Sequence, residues 1–311
     1  MKKIIPTLFF FLSFHNLMSG QQIVKAEVGT WSDVNVDHVL NNRKLEIPKP
    51  KSSDKIISHT GYTLAYNEKY KQANWVAYEL TKEETNKTVE RSNKFISDPQ
   101  INSVNNFDKD YKRSGYDKGH LAPAADMSWS TATMRESFYY SNMSPQTPSF
   151  NRGIWKKLEE LVRKWAIENE AVYIVTGPIL TNGLPTIGNN KVAVPNYYYK
   201  VILDYQKPNI KGIGFILPNE SAKSLLQNYA VSIDSVEKVT GLDFFYLLND
   251  QDENLIENEL CINCWSWSSV NISAEKHENK TTFSVQCNGI TKAGKRCKRM
   301  TTNANGRCYQ H

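Results

Sequence analysis

The sequence predicts an α+β body. Three observations carry this: four short apolar runs with strand character, one long amphipathic helix, and no regular alternation between the two. The runs are residues 75–80, residues 172–176 stopped by Gly177-Pro178, residues 197–203, and residues 213–217. In the helix, Ile154, Trp155, Leu158, Leu161, Val162 and Trp165 recur at spacings of three and four, starting just after Asn151-Arg152-Gly153. Weaker helical patterns cover residues 221–229 and 232–240, the second closed by Gly241. No internal repeat is present.

At 311 residues the chain has the length of one large domain or two small ones, with ample material for a core. Apolar residues make up 40%, aromatic residues 11% and charged residues 23%, which excludes disordered, collagenous and coiled-coil classes. The net charge of +6 is uneven. Two lysines and no acid stand in residues 1–22, and six basic residues and no acid stand in residues 287–311. The remainder holds 30 basic against 32 acidic residues, so an anionic partner is attracted by a patch and not by the whole surface.

Residues 1–20 read as an export signal: Lys2 and Lys3 precede an apolar run over residues 4–14, and Ser19-Gly20 follow. A buried N-terminal helix or strand is the alternative. The run is too short for a membrane span, so the expected product is exported, to the periplasm or outside the cell. Residues 21–58, polar and broken by Pro48-Lys49-Pro50, read as a leader or linker. Residues 59–272 form the expected body, residues 273–286 a polar linker, and residues 287–311 a Cys-rich tail.

The chemistry concentrates in residues 116–127, Tyr-Asp-Lys-Gly-His-Leu-Ala-Pro-Ala-Ala-Asp-Met. The six histidines are His15, His38, His59, His120, His277 and His311, and only His120 lies well inside the expected body. An imidazole, with a pKa near ~6.5, accepts a proton from water at neutral pH as few side chains can. Gly119 lets the backbone approach closely just before it. A lone His beside Gly is also a common structural pattern, and Asn151, in front of the apolar stripe, also reads as a helix N-cap. Glu159 follows Asn151 by eight residues, roughly 80° around and about 12 Å along a continuous helix. Its neighbour Glu160 would then face solvent.

Two segments together resemble a known family. Asp117-Lys118-Gly119-His120-Leu121-Ala122-Pro123 is followed by Asn142-Met143-Ser144-Pro145-Gln146 and by Asn151-Arg152-Gly153-Ile154-Trp155. This pattern is similar to that of the sugar-non-specific DNA/RNA endonucleases of the ββα-metal (His-Me finger) superfamily. The resemblance implies a central antiparallel sheet flanked by helices, with a strand-strand-helix metal motif on one side, and DNA and RNA as substrates. It implies one Mg²⁺, or another divalent cation, held by Asn151 with water in the other positions, as suits a cation reluctant to shed water. His120 would act as general base, and Glu159 would hold the metal's waters. Arg91, in Glu90-Arg91-Ser92-Asn93-Lys94 ahead of Asp98-Pro99, would contact the scissile phosphate, with Lys94 as the alternative. Asn142 is expected to be structural. Lys118 stands where the family most often has Arg, keeping the charge and losing the bidentate fork.

Five cysteines leave one thiol over if all pair in an exported protein. One partition closes without remainder: a Cys261–Cys264 disulfide, and a tetrahedral zinc site from Cys287, Cys297, Cys308 and His311. The tail resembles short Cys/His zinc-binding modules with Thr-Lys-x-Gly-x-x-Cys, here residues 291–297. Tail disulfides, or a site recruiting Cys261 or Cys264, are the competing readings. Two further functional readings stand beside the endonuclease: a nucleic-acid-binding protein with an inactive nuclease-like body, and a hydrolase of small phosphodiesters. Oligomeric state is not legible in the sequence.

Overall fold

Alternation along the central strands sends neighbouring side chains to opposite faces, and in this protein both faces are apolar. Val76, Tyr78, Ile174, Tyr198 and Ile202 belong to one buried cluster, while Trp75, Ala77, Val175, Tyr199 and Val201 belong to another. Helices on both sides of the sheet follow from this. The computed structural model describes residues 44–101, 107–206, 209–267, 285–290, 295–298 and 300–301.

In chain order, β1 (Lys55–Ser58), β2 (Thr63–Asn67) and β3 (Gln72–Thr81) open the sheet. A short helix α1 (Phe107–Tyr111), β4 (Asp117–His120), α2 (Thr131–Ser137) and β5 (Met143–Gln146) follow. Then come α3 (Lys156–Glu168), β6 (Ala171–Pro178), the small pair β7 (Thr186–Ile187) and β8 (Val192–Ala193), β9 (Tyr197–Asp204) and β10 (Lys211–Pro218). β11 (Ala230–Val231), α4 (Ile233–Thr240) and α5 (Asp250–Asn258) complete the body. A hairpin of β12 (Val285–Gln286) and β13 (Met300–Thr301) lies in the tail.

The main sheet runs β1-β2-β3-β6-β9-β10-β11, with every neighbouring pair antiparallel. β3 and β6 are direct neighbours, pairing Val76 with Thr176 and Thr81 with Ala171. The described residues between them, 82–101 and 107–170, form one excursion over a single face of the sheet, and it carries β4, β5 and α3. The α3 stripe of Leu158, Leu161, Val162 and Trp165 packs into that face. Each such side chain contributes roughly 1.5–3 kcal/mol by leaving water. Trp165 also donates its indole N–H to the Ser266 carbonyl (2.7 Å) and packs on Trp265 with ring centroids 4.4 Å apart. This anchors the segment that follows the Cys261–Cys264 disulfide. Ile233, Val236 and Ile256 from α4 and α5 cover the opposite face. Gly241 ends α4 in the left-handed conformation (φ 64°), donating its N–H to the Glu237 carbonyl.

All four apolar runs are strands of this sheet, and the amphipathic stripe is α3. Three expectations need correction. The body starts earlier than residue 59: Leu45 is buried and residues 55–58 pair with β2. The segment looked like a leader because an edge strand buries only Ile57 of its four residues. Residues 221–229 form only a terminal turn over Leu226–Tyr229: Leu226 and Tyr229 pack on the core, but Leu225 and the residues before it are exposed, too little burial to support a longer helix. His120 is not the only histidine in the body. His59 is buried against Asp98 (2.9 Å), which also accepts from Ser141 (2.6 Å). Among the described residues, no helix is long and apolar enough to cross a membrane.

The β4–β5 pairing sets Gly119 opposite Ser144 and His120 opposite Met143. A Cβ on Gly119 would fall 2.2 Å from the buried Gln146 side chain, so only glycine fits beside that amide. Gly119→Ala is therefore expected to destabilise the protein by about 1–3 kcal/mol. In thermal denaturation this is a fall of roughly 2–4 °C per kcal/mol. Gln146→Ala added to Gly119→Ala should recover most of it; no recovery would place the cost elsewhere.

Candidate active site

β4 and β5 lead through Ser149 into a helical turn over Phe150–Trp155, and α3 continues from it. Gly153 (φ −104°, ψ −111°) breaks the helical path between Asn151 and Glu159. The helical count between those two residues therefore does not hold. The strand-strand-helix unit carries His120, Asn151 and Glu159, while Arg91 and Lys94 come from the loop after β3.

Asn151 is half-buried and is not a helix cap. Its side-chain amide donates to Asp117 Oδ2 at 2.9 Å. The same carboxylate takes a two-pronged contact from Arg152, with Nε at 2.8 Å and a terminal nitrogen at 2.6 Å. Asp117 holds its carboxyl below the usual range: burial opposes this, and the Arg152 and Asn151 hydrogen bonds overcome it. An ionised Asp117 can only accept, so the Asn151 amide nitrogen must face it and the amide oxygen must face away. Asp117 lies three residues before His120 on the same strand. It is the residue that the sequence reading passed over, and its adjacency to His120 was the signal.

His120 is buried, and its Nε2 has no hydrogen-bond partner among the described residues. The ring packs edge-on against Phe138 (4.8 Å between centroids) and at 5.8 Å from Phe95. Burial, and secondarily the positive charge of Arg91, push its pKa down to about 3. Arg91 sits over the other partner of this cluster, its guanidinium carbon 5.2 Å from the Phe138 ring centroid. Phe138 thus brings Arg91 and His120 to one place. Lys94 is exposed, with a backbone hydrogen bond to Ser92. Lys118 is engaged by Asp108 and lies 4.4 Å from the Phe95 ring centroid. Asn142 is wholly structural: it accepts from Ala122 N–H (2.8 Å) and donates to the Ala122 and Ser137 carbonyls.

Glu159 projects from the first turn of α3 into a set of charges that the sequence does not reveal as a group. Burial raises its carboxyl above the ordinary range, opposed by Lys200, Arg163 and Arg91 and reinforced by Asp126. Arg163 is paired with Asp126 at 2.6 Å, and Asp126 also accepts from the Tyr78 hydroxyl at 2.7 Å. Glu160 instead faces outward to Lys156 (3.5 Å). Beside this set opens a cleft of about 1090 Å³. Lys87, Arg91, Lys157, Arg163 and Lys164 line it against the single carboxylate of Glu160. The cleft borders Arg91 and α3 and does not include His120 itself.

The oxygen donors fit a hard divalent cation. The Asn151 amide oxygen is turned away from Asp117, and no hydrogen bond among the described residues reaches the Glu159 carboxylate. In the tail, Cys287 and Cys297 are buried together, and the Gly289 N–H points at Cys287 Sγ (3.3 Å). Cys308 and His311 lie outside the described residues, as do residues 1–43 with the expected signal.

With its pKa near 3 in the folded state and 6.5 when unfolded, His120 binds its proton only in the unfolded chain across that window. Its burial therefore makes stability fall as pH drops from 6.5 towards 3. In metal-free protein, the His120 imidazole NMR signals should stay in the neutral form from pH 7 down to about 5. A midpoint near 6.5 would contradict the burial that defines the site.

Comparison with known proteins agrees with this geometry. The family model for DNA/RNA non-specific endonucleases matches residues 41–251. Nuclease C1 of Cunninghamella echinulata var. echinulata is 37% identical over 221 residues, covering 65% of this chain and 86% of that protein. The mitochondrial nuclease EXOG of Danio rerio is 32% identical over 219 residues, and the match spans 64% of its length. Mitochondrial endonuclease G of Bos taurus is 33% identical over 205 residues, covering 60% of this chain and 68% of that protein. Among solved structures, the EndoG/EndoGI complex superposes with a TM-score of 0.59 at 34% identity, covering 64% of this chain and 89% of that one. The chain belongs to the DNA/RNA non-specific endonucleases, a family of divalent-metal-dependent nucleases, and carries their ββα-metal fold.

Proposed function

We propose that the protein is an exported, Mg²⁺-dependent endonuclease that hydrolyses the phosphodiester bonds of DNA and RNA. The observation that carries this reading is His120: a buried imidazole, neutral at working pH, with one ring nitrogen free to accept, and with Arg91 against the same aromatic ring. His120 removes a proton from the attacking water. The water oxygen bonds to phosphorus as the bond to the 3′ oxygen breaks, and that oxygen takes up a proton from solvent. Arg91 meets the negative charge that accumulates on the phosphoryl oxygens. Asn151, oriented by Asp117, would hold the cation, and Glu159 would hold its waters. When bound, Mg²⁺ offsets charge on the phosphate and on the departing oxygen. Flanking phosphates find lysines and arginines along the cleft beside α3.

Cleavage of plasmid DNA and of RNA should need Mg²⁺ and stop with EDTA. His120→Ala should lower kcat by at least about 10²–10⁴-fold with metal affinity retained. Asn151→Ala should weaken Mg²⁺ binding and recover in part at high Mg²⁺. Full activity of His120→Ala, or one shared metal dependence for both variants and the parent protein, would overturn these roles.

The tail, residues 287–311, we read as a zinc-bound module made from Cys287, Cys297, Cys308 and His311 that adds a basic grip on nucleic acid. Its support is the burial of Cys287 with Cys297 and six basic residues without an acid. Truncation after residue 273 should leave turnover intact, because His120, Asn151, Glu159 and Arg91 all lie upstream. Binding to long nucleic acid should weaken, with a shallower dependence of log affinity on log salt. An unchanged slope would assign the tail to targeting instead.

A further inference from the structure

Lys200 stands at the centre of β9 between Tyr199 and Val201, whose side chains belong to the opposite face of the sheet. Its own side chain therefore shares the face of Tyr198 and Ile202, under the catalytic excursion. Only 1% of the residue is exposed, and Nζ has no hydrogen-bond partner among the described residues. Nζ lies 4.8 Å from the centroid of the fully buried Trp155 ring, at the last residue before α3. Glu159 follows Trp155 by four residues, one helical turn further along the same side of the helix.

A buried ammonium without a partner is costly, and nothing in packing alone requires it here, because methionine or leucine would fill the same space. The neighbouring charges show what it opposes. Glu159 is the acid that acts most strongly on Lys200, and Lys200 is the cation that acts most strongly on Glu159. The other groups near this pair are Asp126, from the loop after β4, Arg163, one turn further along α3, Arg91, from the loop after β3, and the Tyr78 hydroxyl of β3, which donates to Asp126. Asp126 and Arg163 satisfy each other at 2.6 Å, and Arg91 lies over Phe138. Lys200 is thus the buried cation of this set whose nitrogen has no hydrogen-bond partner of its own among the described residues.

We propose that Lys200 is a positioning residue: from beneath the active site, braced on Trp155, it keeps the Glu159 side chain in place. Lys200 is too deep to touch nucleic acid, so it acts through Glu159 and not on substrate. The inference rests on the role given to Glu159 above, and the experiment separates the two. Glu159→Gln, Lys200→Met and the double variant are compared with the parent protein, with near-ultraviolet circular dichroism and thermal melting to confirm folding. Lys200→Arg, which keeps the charge, serves as the rescue.

Lys200→Met should lower kcat roughly 10–100-fold, the usual loss when a partner that orients an active-site ligand is removed. KM for a long oligonucleotide should change by less than about twofold. The double variant should be no slower than Glu159→Gln alone, since one residue acts through the other. Lys200→Arg should regain activity over Lys200→Met. Independently of activity, the ¹³C carboxyl resonance of Glu159 at one fixed pH should lie at a different chemical shift in Lys200→Met than in the parent. A folded Lys200→Met with parental kcat, losses that multiply in the double variant, or an unmoved Glu159 resonance would each overturn the proposal. Parental activity in Glu159→Gln would instead remove the role assigned to Glu159, while the carboxyl resonance would still report whether Lys200 positions that side chain.

Discussion

The Asp117 carboxylate is the joint on which the site depends. It sits on β4, three residues before His120, and receives both Asn151 and Arg152 from the turn that leads into α3. Along the chain, strand and helix are joined through the β5 hairpin and a turn interrupted at Gly153. A carboxylate fixed by a forked arginine contact has little freedom to rotate, and a primary amide hung on it inherits that rigidity. The orientation of Asn151 is thus set by electrostatics across two elements and not by its own helix.

Below this joint the protein gathers charges that a hydrophobic sheet face would normally exclude. Tyr78 and Arg163 share Asp126, while Lys200 lies over Trp155 with Glu159 one helical turn further along α3. Replacing such groups with apolar residues often leaves stability unchanged or improved, so their presence is better explained by what they present upward. The same logic applies to His120. Burial without a partner for Nε2 raises the free energy of the folded state and keeps the imidazole unprotonated, which is the form a base requires.

The parts legible in the sequence were those with a period. Residues 172–176 and 197–203 bury both faces and read as unbroken apolar runs, and α3 repeats its apolar stripe faithfully. His120, Asn151, Glu159 and Arg91 were found through a motif, and composition alone would not have singled them out. β4 escaped notice because Asp-Lys-Gly-His has no strand character; its extended form comes from pairing with β5. β1 escaped because an edge strand buries only one residue in four here. Asp117 was overlooked because its partners are 34 and 35 residues away. Lys200 was invisible because a lysine inside an apolar strand declares its surroundings only once the sheet is assembled.

The placement of the catalytic excursion between adjacent strands also has a kinetic meaning. Even the nearest pair of the β3–β6 ladder, Thr81 with Ala171, joins positions 90 residues apart. Closing a loop of that length carries an entropic cost of about 4 kcal/mol, so these central strands join late unless the excursion has already condensed. The β6 and β9 strands that α3 packs upon come after it in the chain, and Lys200 is supplied by β9. A chain emerging from synthesis therefore carries His120 and Asn151 before it owns the platform beneath them. The site is thus assembled only once the sheet has zipped, and before that the chain holds these residues without their arrangement.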